Sequence, residues 1–152
     1  MAQTFADWVD DWTRESEARL LAVFRRAVEL LADELTTTRA NGGRLPHLTG
    51  NLMRSLLAAV GAMPSQGAPD QKYAGSDVGV VVASVLMGQS ISLGFQAVYA
   101  RRRNYGFVGT RKDGSTWSEP GAGFVEYAAS VWPTIVALAA EEIRNKVMAR
   151  SA

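Results

Sequence analysis

Three consecutive arginines, Arg101, Arg102 and Arg103, sit between Tyr99 and Tyr105, and this is the densest reactive cluster in the chain. A guanidinium binds phosphate or carboxylate oxygens through a planar fork of donors, and the flanking rings could stack on bases. Two kinds of partner fit: nucleic-acid phosphates, or carboxylates on a neighbouring protein surface. Elsewhere the reactive inventory is thin. There is no cysteine, which rules out disulfides and thiolate metal sites. His47 is the one histidine, and with no second ligand or base partner it reads as a solvated loop residue. The carboxylates lie on helical faces among basic neighbours, which is the pattern of solvated surface pairs. No glycine-rich phosphate loop, metal-ligand spacing or nucleophile elbow is present. No enzyme and no cofactor are expected.

The whole-chain balance weighs on the arginines. Lysine plus arginine number 16 and aspartate plus glutamate 15, for a net charge of +1 over 152 residues. Proteins that grip nucleic acid through phosphates are usually more basic. A run of about 18 apolar residues is absent, so no membrane span is expected. The acidic opening MAQTFADWVDDW lacks the basic and apolar regions of a secretory signal, so a chain made in the cytoplasm is expected. The length suits one domain, 1–152.

The elements that must hold these residues are organised around Val78 to Gly106. Ile91, Leu93, Phe95 and Ala97 alternate with Ser90, Ser92, Gly94 and Gln96, the period of a half-buried strand. Val78 to Met87 is almost continuously apolar and β-branched, which predicts a strand buried on both faces. Gly88-Gln89 between them fits a type II′ turn. The predicted hairpin therefore pairs Val78–Met87 with Ser90–Val98, placing Leu86 opposite Ile91, Val82 opposite Phe95 and Val80 opposite Ala97.

Around that hairpin, Thr4 to Leu35 carries a helical stripe: Phe5, Trp8, Val9 and Trp12, then Leu20, Val23, Phe24, Ala27, Val28, Leu31 and Leu35. Thr4 suits the N-cap, and Asp10–Arg14 and Glu15–Arg19 are i,i+4 pairs worth about 0.2–0.5 kcal/mol each. The stripe fades between Thr13 and Ala18. Two readings stand: the first three turns project with Phe5, Trp8 and Trp12 as an exposed patch, or they pack on the chain's own sheet. After a break at Thr36–Pro46, Thr49 can cap a short helix. Leu52, Met53, Leu56, Leu57 and Val60 fit either one helix face or a strand that starts after Ser55. Residues 61–77 form a loop, as do 107–120, where Asp113-Gly114 signals a type I′ turn in a small hairpin or an ordered loop. A second long helix follows Gly121, kinked or restarted at Pro133, with Glu142–Lys146 as an i,i+4 pair. The fold class is α+β: an antiparallel sheet with a central hairpin, packed against a long N-terminal helix and a C-terminal helix.

The order of these pieces resembles a family. A long helix precedes TGNLMRSL (Thr49 to Leu56), then VYARRRNYG (Val98 to Gly106), then GAGFVEYAASVWP (Gly121 to Pro133). This is similar to the small neck proteins of tailed bacteriophages, the tail-completion or head–tail joining proteins. Where that pattern usually has glutamate before the tyrosine-glycine pair, this chain has Asn104. The resemblance implies a structural virion protein that assembles as a ring, commonly a hexamer, among other neck and tail-tube proteins. Phe5, Trp8, Trp12, Arg101, Arg102, Arg103, Arg111, Lys112 and Trp117 are the expected subunit-interface residues. The alternative is a small nucleic-acid-binding module using the arginine cluster; no sequence-specific readout and no membrane partner are expected.

Overall fold

A computed structural model describes residues 2–151; Met1 and Ala152, the ends of the expected 1–152 domain, lie outside them. The chain is α+β. Helix α1 (Phe5–Thr36) opens it. A 3₁₀ turn (Arg39–Asn41), α2 (Asn51–Arg54) and β1 (Leu56–Val60) follow. Next come α3 (Val78–Ser84), β2 (Ile91–Phe95), α4 (Ala100–Tyr105), β3 (Gly106–Thr110), β4 (Thr116–Pro120), α5 (Phe124–Ser130) and α6 (Trp132–Ser151). Two small antiparallel sheets, β1–β2 and β3–β4, accompany the helices. No described helix is long and apolar enough to cross a membrane.

Helix α1 begins where its sequence predicts. Thr4 Oγ1 accepts from the Asp7 amide and the Asp7 carboxylate accepts from the Thr4 amide, a reciprocal capping box. Arg19 pairs with Glu15 at 3.1 Å as expected, whereas Arg14 reaches Asp11, three residues back, at 3.0 Å. From Leu21 onward the stripe is covered. Ala27 meets Ile135 and Ala139 of α6, and the two alanines let the helix backbones approach closely. Ala32 and Leu35 pack with Leu56 and Ala128.

The predicted central hairpin is not formed. Val78–Ser84 is helical, and the partner of β2 is β1, with Leu56 opposite Phe95, Ala58 opposite Leu93 and Val60 opposite Ile91. The reason is local. Val78, Val82 and Val85 recur at i, i+4 and i+7, so the continuous apolar run carries a helical stripe as well as a strand-like one. Val82 and Val85 are 1% and 0% exposed, while Val80 and Leu86, expected opposite Ala97 and Ile91, point outward at 66% and 62%. A turn does form here, one residue earlier than predicted. Gln89 N–H donates to the Leu86 carbonyl at 3.1 Å, with Gly88 at φ +83° as the third residue. That position of the left-handed glycine makes a type II turn, which splays flanking segments where II′ aligns them.

Phe95 lies between two apolar clusters and meets Phe124 edge-on, with centroids 5.2 Å apart. The segment after Ser55 takes the strand alternative. Residues 61–77 are tied to β1, to α2 and to the end of β2: Gly67 N–H donates to the Gln96 carbonyl, Tyr73 N–H to Asn51 Oδ1, and Ser76 Oγ to the Leu56 carbonyl. Pro133 lies in the first turn of α6, so it restarts the helix where a missing N–H costs nothing. Glu142 turns to Arg26 of α1 at 2.6 Å and makes no ion pair with Lys146 among the described residues.

Candidate subunit-interface site

The first turns of α1, Phe5 to Leu20, are exposed among the described residues but for half-buried Ser16. Phe5, Trp8 and Trp12 are 84%, 67% and 68% exposed, and Val9 and Leu20 are exposed with them. Of the two readings of this stretch, projection holds. These residues share one helical stripe, yet α1 finds α3, α5 and α6 only along its later half. Their helicity comes from the Thr4–Asp7 box, the short-range ion pairs and continuity with the packed half, because a helix this short is marginal alone.

The arginine triplet lies on α4, and the chain engages most of it internally. Arg102 places its guanidinium 3.9 Å from the Phe107 ring centroid and 4.7 Å from that of Trp117. Those two rings touch, with centroids 5.2 Å apart. Glu119 takes an ion pair from Arg103 and another, at 3.8 Å, from Arg102. The β3–β4 register makes this possible: Phe107 stands opposite Glu119 and Gly109 opposite Trp117, so both rings reach one face. Gly106 lets α4 pass directly into β3. Its φ is +87°, and a Cβ there would sit 2.7 Å from the Glu119 carbonyl oxygen.

The tip of this hairpin differs in type from the expected turn. Gly114 N–H donates to the Arg111 carbonyl, and Arg111 N–H to that of Ser115. Only Gly114 has positive φ, so the tip is a type I turn closed by a left-handed glycine, whereas type I′ would need Asp113 left-handed too. Asp113 accepts from the Ser115 hydroxyl and amide, and the hydroxyl bond holds its carboxyl below the usual range. Arg111 and Lys112 project at this tip. Together with Arg101, they are exposed and without an ion pair among the described residues.

Thus Arg102, Arg103 and Trp117 come together within one chain, while Arg101, Arg111 and Lys112 remain open and Phe5, Trp8 and Trp12 form a separate patch. Sequence reasoning missed Glu119 and Phe107 as partners of the arginines. The alternation of FVGT against TWSE about Asp113-Gly114 carried that signal, since it fixes which side chains share a face.

Asn104 was not singled out as a structural hub, and it is one. It is buried; its side-chain amide donates to both Glu126 oxygens at 3.0 and 2.7 Å, and its Oδ1 accepts from the Val125 amide. These bonds fasten α4 to the start of α5, and the Asn104 bond lowers the Glu126 carboxyl. A glutamate at 104 would face Glu126 with like charge, so asparagine here and Glu126 are matched.

Beside α4 lies an open groove of about 620 Å³. Pro46, Leu52 and Tyr99 line it with Arg102 and Arg103, and Leu48 at its edge is 86% exposed. His47 stands at this groove, exposed as expected. Among the described residues no group of three histidine, cysteine, aspartate or glutamate side chains could hold a metal. Comparison with known proteins finds no matching family model, no matching curated protein and no matching solved structure.

Proposed function

We propose that this chain is a structural protein of the neck of a tailed bacteriophage, a ring-forming subunit that completes the tail or joins it to the head. The motif order from TGNLMRSL through VYARRRNYG to GAGFVEYAASVWP supports the family, and one observation carries the assembly role. A capped, well-formed helix presents Phe5, Trp8 and Trp12 to solvent, which a chain acting alone has no physical reason to maintain. The exposed Arg101, Arg111 and Lys112 add a cationic edge for carboxylates of a neighbour. Internal pairing of Arg102 and Arg103 with Glu119, and stacking of Arg102 on Phe107 and Trp117, leave less of the triplet for phosphates and weigh against the nucleic-acid reading.

The test is biochemical. Mass spectrometry of purified virions or tail-like particles from the producing cells should find the chain as a component. Deleting its gene should leave heads and tails unjoined. Absence from such particles refutes the proposal. DNA affinity that falls steeply with salt would favour the nucleic-acid module instead.

A further inference from the structure

The projecting turns of α1 and the groove beside α4 are complementary, and we propose that they meet: the helix of one copy docks, head to tail, in the groove of a second copy. This rests on the ring reading and names the two surfaces that build the ring.

Charge complementarity argues for it. Between Phe5 and Leu20 the helix carries Asp7, Asp10, Asp11, Glu15 and Glu17 against Arg14 and Arg19, an excess of negative charge. The groove has Arg102 and Arg103 in its lining, Arg101 beside them on α4, and no carboxylate lining it. Among the described residues Glu119 is the one carboxylate that pairs with Arg102 and Arg103, so the triplet keeps an excess of positive charge. Apolar surface matches as well. Phe5, Trp8 and Trp12 form one stripe, and the groove offers exposed Leu48 with half-buried Pro46 and Tyr99 to receive rings.

Geometry selects the second copy and the head-to-tail arrangement. The uncovered turns from Phe5 to Leu20 extend about 24 Å at 1.5 Å per residue. All of their residues but half-buried Ser16 are exposed, so they do not fill the groove of their own chain. Two such helices packed side by side would each carry excess negative charge, which works against a symmetric helix-to-helix pair. A contact between two different surfaces of one chain is heterologous, and it closes into a ring where its rotation permits.

Complementation tests this directly. The 152-residue chain is sedimented up to about 1 mM, with circular dichroism confirming the fold of each variant. The wild type should associate beyond a dimer, and less so as salt rises. A Trp8→Ala/Trp12→Ala variant and a Leu48→Asp variant should each sediment as monomers. Their equimolar mixture should form a dimer and nothing larger, because one intact helix meets one intact groove. A monomeric wild type, a Leu48→Asp variant that associates like wild type, or a mixture that stays monomeric would each overturn the docking. Those results leave the neck reading standing on other surfaces, whereas absence from virions removes the neck reading without touching the sedimentation result.

Discussion

Helix α1 is one continuous element with two opposite surroundings. From Leu21 to Leu35 its stripe meets α6, α5 and the β1–β2 sheet, and Ala27, Val28, Ala32 and Leu35 are buried. From Phe5 to Leu20 a stripe with larger rings is left exposed among the described residues. Apolar periodicity thus states which face of a helix wants cover, and the rest of the fold decides whether one chain supplies it. Half of α1 builds this domain's core; the other half leaves Phe5, Trp8 and Trp12 exposed. Trp8 and Trp12 are of the type that most often anchors interfaces.

Substitutions should separate the two regions. The largest effect belongs to the body. Phe95→Ala empties a site between two clusters and removes the edge-on contact with Phe124, and should cost about 3–5 kcal/mol in chemical denaturation. A loss below about 1 kcal/mol would place Phe95 among surface residues. Asn104→Ala should cost about 1–3 kcal/mol, because it leaves the Val125 amide without its partner and frees α5 from α4. An unchanged midpoint would remove Asn104 from the structural hub.

Acid separates the regions next. The hydrogen bond from Arg26 holds the Glu142 carboxyl below its ordinary value of 4.5. The unfolded chain therefore binds more protons than the native one in acid, and stability falls as pH drops below about 4.5 through the lowered native value. Glu142→Gln should flatten that limb of melting temperature against pH. Asp7 is also lowered, by the Thr4 hydroxyl bond, from 3.8. It caps the uncovered turns, so Asp7→Asn should leave the global acid limb unchanged. An equal response from both variants would mean that the projecting turns unfold together with the body. The smallest effect on stability is expected for Trp8→Ala/Trp12→Ala: within about 0.5 kcal/mol, as for exposed positions generally. A loss above about 2 kcal/mol would show these rings packed on their own domain.

How far the chain could be read from its residues follows the range of the interactions involved. Helix α1 and the Thr4 cap depend on neighbours within a turn, and the structure has them where the residues predict; at Pro133 the helix takes the restart, one of the two forms the residues allow. The strand Ile91–Phe95 was readable from its alternation. Its partner was not, because Leu56–Val60 is distant in the chain and the nearer Val78–Met87 run offered both periods at once. Gly88 and Gly114 marked turns correctly, but turn type depends on which residue takes the left-handed position, and that decided whether flanking segments pair. Of the site residues, the exposure of Phe5, Trp8 and Trp12 was one of two open readings. The capture of Arg102 and Arg103 by Glu119, Phe107 and Trp117 needed the β3–β4 register, which sequence suggested only as one possible form of that loop.

The most direct measurement is cryo-electron microscopy of purified phage particles or joined tails from the producing cells, at a resolution that traces helices. The expected image is a ring of this chain at the tail end. In it, Phe5, Trp8 and Trp12 of each copy are covered by the Leu48 and Tyr99 groove of the next. Particles whose neck contains no such chain, or a ring that leaves those rings open to solvent, would contradict the assembly role assigned to the first turns of α1.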